Sequence, residues 1–199
     1  MNIVDAYKKY NSQLIILISG YSGTNKSDIA KFISNIFNLK CISLKQFYYH
    51  DYDKTVSIPL MTSIKENDTI TLIDYDNIYE SVDWKKLNEY VKENKNIIIC
   101  GFGFPNHLIT FKTDFHIYLK INKQKLFENI ELKKQEKYNH ENAKLIFNKL
   151  TFNHNEQIMK DSKIDKYVNL NDLTFDETKK NIFDYLIFMI DKWLNDNKK

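Results

Sequence analysis

At 199 residues, with a net charge of +3 and 43% hydrophobic residues, the chain has the size of one domain and the means to bury a sizeable core. That balance excludes a strong electrostatic pull toward nucleic acid, and no apolar stretch is long enough to span a bilayer. All 29 basic residues are Lys, so the chain offers no arginine finger and no bidentate arginine clamp.

Leu14–Ser19 is short, continuous and β-branched, which predicts a buried strand, and Ser27–Phe37 has the spacing of an amphipathic helix. Cys41–Leu44 predicts a second short strand, followed by an aromatic cluster of Phe47, Tyr48, Tyr49 and Tyr52 with His50. Val56–Met61 and Thr69–Asp74 flank Lys65-Glu66-Asn67-Asp68 and predict a hairpin. Trp84–Glu93 has helical spacing, Asn96–Cys100 is a buried strand ending at Gly101-Phe102-Gly103, and Phe115–Ile121 is a further core strand. Lys123–Lys137 reads as a charged helix and Tyr138–Lys163 as polar and partly helical. Tyr167–Leu170 predicts a fifth short strand, and Phe175–Leu194 a closing amphipathic helix.

Strands alternating with helices predict an α/β fold, a mainly parallel five-stranded sheet with helices on both faces. Ligands of such sheets sit at the carboxyl ends of the strands. The 20–27 loop, Leu44–Tyr52, Asp74–Asp76 and the Gly101 turn are expected to gather there. Cys41 and Cys100, the only cysteines, fit no zinc spacing and lie in apolar runs, which predicts buried thiols in a reducing compartment. The N-terminus lacks a basic start followed by a long apolar run, so the expectation is a soluble, cytoplasmic protein. Without repeats or low-complexity linkers, residues 1–199 are expected to form a single domain.

Chemistry concentrates in the loop. An apolar strand runs into Gly20-Tyr-Ser-Gly-Thr-Asn-Lys26-Ser27, and a helix follows. Backbone N–H groups of such a loop, with the positive end of the helix, favour a polyphosphate. Gly20 lets the chain leave the strand sharply, and Gly23 lets backbone approach phosphate. Ser22, Thr24 and Asn25 complete the cradle. Lys26 would reach the β- and γ-phosphates, and the Ser27 hydroxyl would face Mg²⁺. Asn25 stands where the usual pattern has Gly; Asn tolerates left-handed backbone better than most residues.

Four segments together resemble the uridine kinase and nicotinamide riboside kinase family of P-loop kinases, over most of residues 13–137. Gly20-Tyr-Ser-Gly-Thr-Asn-Lys26-Ser27 looks like that family's Gly-x-Ser-Gly-x-Gly-Lys-[Ser/Thr]. Ile42-Ser-Leu-Lys-Gln-Phe47-Tyr48 is similar to its Ile-Ser-x-Asp-[Asp/Ser]-Phe-[Tyr/Phe]. Asp74-Tyr75-Asp76-Asn77, followed by Val82-Asp83-Trp84, looks like Asn-[Phe/Trp]-Asp-His-Pro and an Asp-Trp helix start. Ile97-Ile-Ile-Cys100-Gly101-Phe102 is similar to Val-[Ile/Leu]-Ile-Glu-Gly-[Phe/Ile]. The resemblance implies a three-layer P-loop kinase fold with a substrate and hairpin region at about 47–80 and a small lid at about 133–163. It implies ATP with Mg²⁺, and phosphoryl transfer to a nucleoside or riboside hydroxyl. Asp76 matches the residue that holds ribose hydroxyls, and Lys133, Lys134 and Lys137 stand where lid arginines meet phosphate; from their own chemistry, Tyr48, Tyr49 and Tyr75 could stack on a base or serve as ordinary core aromatics.

Two departures bear on turnover. Lys45 stands at the family's general-base Asp, and an ammonium cannot accept a proton. Cys100 stands at the Glu that organises Mg²⁺, and Mg²⁺ prefers hard oxygen ligands. Asp74 and Asp76, if on one strand, point to the same side and are candidate replacements. His50 and Asp53 read as a surface loop, and His107, His116, His140 and His154 belong to no motif. Three readings follow: an ATP-dependent nucleoside-kinase-like enzyme, a nucleotide-binding pseudokinase, or a relic kinase fold used as an interaction module. The first is the main expectation, with nucleotide and a small nucleoside or riboside as partners, and neither nucleic acid nor membrane.

Overall fold

The computed structural model describes residues 2–59, 69–134 and 140–197. Its centre is a five-stranded parallel sheet of β1 (Leu14–Gly20), β2 (Lys40–Ser43), β5 (Asn96–Gly101), β6 (Phe115–Lys120) and β7 (Lys166–Asn169), in the order β2-β5-β1-β6-β7. Consecutive residues of β1 face opposite sides, and both sides are buried, which is why the strand reads as an unbroken apolar run. Leu14, Ile16 and Ile18 join one core with Ile98 and Ile117. Ile15 and Leu17 join the other with Ile97 and Ile99.

The first core is closed by α1 (Ile3–Asn11), α2 (Lys26–Phe37) and α8 (Phe175–Asn197), through Val4, Ile33, Phe37, Ile182, Leu186 and Ile190. The second is closed by α3 (Ile78–Ser81), α4 (Trp84–Glu93), α5 (Lys123–Lys134), and the continuous helical stretch of α6 (His140–Ile146), a π-helical segment (Phe147–Phe152) and α7 (Asn153–Asp161). Fully burying one Leu or Ile contributes about 1.5–3 kcal/mol, so the two layers supply most of the fold's drive. Among the described residues no helix is long and apolar enough to cross a membrane.

The expected strands and helices form with small shifts at their ends. β2 stops at Ser43 because the Ser43 hydroxyl accepts the Lys45 N–H and starts a 3-10 turn at Leu44–Phe47. β3 (Thr55–Pro59) and β4 (Thr69–Ile73) pair antiparallel as the expected hairpin, apart from the main sheet. Met61 and the expected turn at 65–68 lie outside the described residues. Cys100 is buried, but Cys41 is only half-buried, since it sits on edge strand β2.

Helix α1 has no counterpart in the sequence expectations. Asn2 caps it by accepting the Asp5 N–H at 2.9 Å. Asp114, at the start of β6, ties it down, accepting from the Tyr7 hydroxyl (3.1 Å), Asn11 Nδ2 (2.8 Å) and Gln13 Nε2 (3.2 Å), and from the Ile15 N–H of β1 (2.7 Å). Lys8 Nζ reaches the Phe37 carbonyl at 2.7 Å, placing positive charge at the C-terminal end of α2.

Candidate active site

The loop between β1 and α2 is shaped by three residues with positive φ. Gly20 has φ 151°, and a Cβ there would stand 2.9 Å from the Leu119 carbonyl oxygen of the neighbouring strand. Gly23 has φ 94°. Asn25 has φ 54° and ψ 25°, the left-handed conformation expected where Gly is usual, and its carbonyl accepts the Asp28 and Ile29 N–H groups to begin α2. Thr24 braces the loop from below, buried, with its hydroxyl on the Tyr21 carbonyl at 2.8 Å. The same carbonyl accepts Lys26 Nζ at 2.8 Å, so the lysine folds back over its own loop.

A cleft of about 560 Å³ opens beside this loop at the carboxyl ends of the strands. Ser22, Gly23, Asn25, Lys26 and Ser27 line one wall, and Lys45, Tyr48, Tyr75 and Asp76 line the opposite one. Cys100, Gly101 and Phe102, at the end of β5, lie between them. The four segments expected to gather at one sheet edge therefore do. A smaller cavity of about 140 Å³ lies across the loop, lined by Gly23, Thr24 and Asn25 with Lys125, Leu173 and Phe175 among others.

The aromatic wall is a chain of rings. Tyr48 and Tyr75 have centroids 6.1 Å apart, and Tyr75 and Tyr52 5.8 Å. Burial, and then the charge of Asp76, push the Tyr48 hydroxyl well above its ordinary pKa, so it stays a proton donor. Asp74 and Asp76 do not lie on a strand, because β4 ends at Ile73. They diverge: Asp76 Oδ2 accepts the Thr151 hydroxyl at 2.7 Å and lines the cleft, while Asp74 Oδ2 meets His154 Nε2 at 2.9 Å. The hydrogen bond to Asp74 raises the His154 pKa against the effect of burial, and Asp76 adds to the rise.

Cys100 Sγ donates to Ser27 Oγ at 3.6 Å, so a thiol faces the hydroxyl in the first turn of α2. Lys45 is exposed, and its ammonium has no hydrogen-bond or ion-pair partner among the described residues. Among those residues no group of three or more His, Cys, Asp or Glu side chains could hold a metal ion. Lys133 and Lys134 fall in the last turn of α5, and Lys137 lies outside the described residues. His50 and Asp53 are exposed, as a surface loop requires.

The residues missed from the sequence lie in the polar stretch after position 140. The π-helical segment and α7 pack Phe147 and Phe152 near Tyr21 of the loop, with the Phe152 ring stacked on Tyr21 at 6.1 Å and 12°. Asn155 is fully buried, accepts the Tyr118 hydroxyl and donates to the Phe102 carbonyl. Thr151 and His154 hold the two acids. The usable signal was apolar spacing, Ala143, Phe147, Leu150 and Ile158, inside a segment whose overall composition is polar.

No family model matches the chain, and no curated protein matches it in sequence. Solved structures do match. A gluconokinase from Sinorhizobium meliloti 1021 aligns over 93% of this chain and 98% of its own, with a TM-score of 0.56 at 8% identity. A shikimate kinase from Bacteroides thetaiotaomicron aligns over 87% and 98%, with a TM-score of 0.51 at 14% identity. A shikimate kinase from Acinetobacter baumannii in complex with shikimate aligns over 97% and 99%, with a TM-score of 0.51 at 9% identity. The chain has the α/β fold of the P-loop kinase type.

Proposed function

We propose that this chain is a nucleoside-kinase-like protein that binds ATP on the 20–27 loop and transfers its γ-phosphoryl group to a hydroxyl of a nucleoside or riboside. One observation carries the reading: a single cleft joins Lys26 and Ser27 to a facing wall of Tyr48, Tyr75 and Asp76. The loop and the start of α2 hold the phosphates, and Lys26 leaves the Tyr21 carbonyl to meet the β- and γ-phosphates. The adenine ring takes the smaller cavity beside Phe175. Tyr48 and Tyr75 flank the acceptor ring, and Asp76 accepts the sugar hydroxyl. The acceptor oxygen bonds to the γ-phosphorus, the bond from that phosphorus to the β–γ bridging oxygen breaks, ADP leaves, and the hydroxyl proton passes to the Asp76 carboxylate.

The fold type implies Mg²⁺, but the donor set does not fit it. The protein offers the Ser27 hydroxyl, and the side chain beside it is the Cys100 thiol rather than a carboxylate; of the two carboxylates on the cleft lining, Asp76 is engaged by Thr151 and Asp28 lies in the first turn of α2, and neither contacts Ser27. The contributions above therefore rest on the chain's own groups. The same mismatch supports a second reading, a nucleotide-binding pseudokinase in which turnover is weak. Partners under either reading are small molecules rather than nucleic acid or membrane, and residues 1–199 act as one domain. Lys133, Lys134 and Lys137 would meet phosphate from a lid at about 133–163.

Calorimetry of ATP, with and without Mg²⁺, on wild type and Lys26→Ala, tests the reading together with product formation across a nucleoside panel. Lys26-dependent binding with product supports the kinase. Lys26-dependent binding indifferent to Mg²⁺ and without product leaves the pseudokinase. No binding overturns both and leaves a relic fold.

A further inference from the structure

We infer that the acceptor carries a negatively charged group of its own, a carboxylate or a phosphate ester, and that Lys45 binds it; this rests on the kinase reading above. The strand order separates the two cleft lysines. The loop with Lys26 follows β1, Lys45 follows β2, and β5 stands between those strands. Adjacent strands are about 4.8 Å apart, so the ends of β1 and β2, from which the two segments leave the sheet, lie roughly 10 Å apart. Lys45 is thus a cation of the far wall, not a second lysine of the phosphate loop.

Its neighbours are acceptor groups. The Lys45 carbonyl accepts the Tyr48 N–H at 3.4 Å, and Tyr48 leads by ring contact to Tyr75, beside Asp76. Of the carboxylates lining the cleft, Asp28 belongs to the first turn of α2 on the loop side, and Asp76 is engaged by Thr151. The Lys45 ammonium meets no anion among the described residues. A neutral acceptor filling this cleft would strip water from that ammonium and return nothing, which costs binding energy. An acceptor with its own anion replaces the lost water with a charge-assisted hydrogen bond, and so is selected over its neutral analogue.

Calorimetry with a non-hydrolysable ATP analogue at saturation tests this, using matched probes: uridine against orotidine for a carboxylate, and uridine against uridine 5′-monophosphate for a phosphate. At least one anionic probe is expected to bind wild type about tenfold or more tighter than uridine. That preference is expected to fall within about twofold in Lys45→Met and to invert in Lys45→Asp. Lys45 is exposed, so both variants should fold; an unchanged unfolding midpoint verifies it. Uridine binding as tightly as both anions, or no probe binding beside bound analogue, overturns the inference alone. So does loss of analogue affinity in Lys45→Met with acceptor preference unchanged, which would assign the lysine to the triphosphate. Failure of the analogue to bind wild type overturns the kinase reading, and this inference with it.

Discussion

Asn25 holds a left-handed backbone at φ 54°. For an ordinary L residue that conformation costs roughly 1–2 kcal/mol, and Asn lowers the cost by local polar contacts. Asn25→Gly should therefore keep or slightly raise stability and retain the ATP binding proposed for this loop, whereas Asn25→Ala should lose about 1 kcal/mol in urea unfolding. This position was legible because its φ requirement follows from local chemistry and the neighbouring Gly and Lys. The divergence of Asp74 and Asp76 was not, because it depends on Thr151 and His154, some 75 and 80 residues away. Nor was the thiol–hydroxyl contact of Cys100 and Ser27, which needs β1 and β5 side by side. That contact yields a sharper expectation. Under the proposed ATP-binding reading, Cys100→Glu puts a carboxylate beside Ser27 and should make ATP affinity depend on Mg²⁺ by about 10-fold or more in calorimetry. An unchanged Mg²⁺ response would show that position 100 does not face the metal.

The stretch of α6, π-helical segment and α7 joins site and core. Its charged and amide residues hide the stripe of Ala143, Phe147, Leu150 and Ile158, and a six-residue π segment shifts the register on which helical spacing is judged. That is why composition described it as polar although Ile158 and Asn155 are essentially inaccessible. The same segment carries a pH dependence. His154 has its pKa raised in the folded state, so the pair with Asp74 favours folding when His154 is charged. The contribution is fully present below the unfolded histidine value and is lost as pH rises through the raised folded value. Amide exchange in α7, corrected for intrinsic rates, should lose protection over that rise, and Asp74→Asn should abolish the change. Six residues at the slower π-helical turn sweep about as much angle as five at the α-helical ~100° per residue, so the extra residue in Phe147–Phe152 is absorbed in place and α7 keeps its facing toward the site. Thr151→Val, which deletes the hydrogen bond from that segment to Asp76, should lower stability by about 1–2 kcal/mol in urea unfolding.

At the scale of the whole molecule, the alternation of apolar strand and amphipathic helix was enough to place five parallel strands between two helical layers, because each strand needs both faces covered. What it could not show is how the sheet is pinned across its middle by a buried histidine. His116 on β6 is 2% exposed; its Nε2 lies 2.7 Å from the Ser19 hydroxyl of β1, and its Nδ1 lies 2.9 Å from the Lys163 carbonyl before β7. The neutral ring that donates from Nδ1 and accepts from Ser19 satisfies both contacts, and burial lowers its pKa to about 4. Between that value and about 6.5 the unfolded chain binds a proton that the folded chain refuses, so stability rises with pH across the window and is lost on acidification through it. The loss assigned to this one ring is about 3 kcal/mol. Urea unfolding from pH 7 to 4 should show it in wild type, and His116→Gln, lacking the titration, should start less stable at pH 7 yet fall less steeply. Equal slopes in the two proteins would mean that carboxylates alone drive the acid response and that the ring is protonated in the fold.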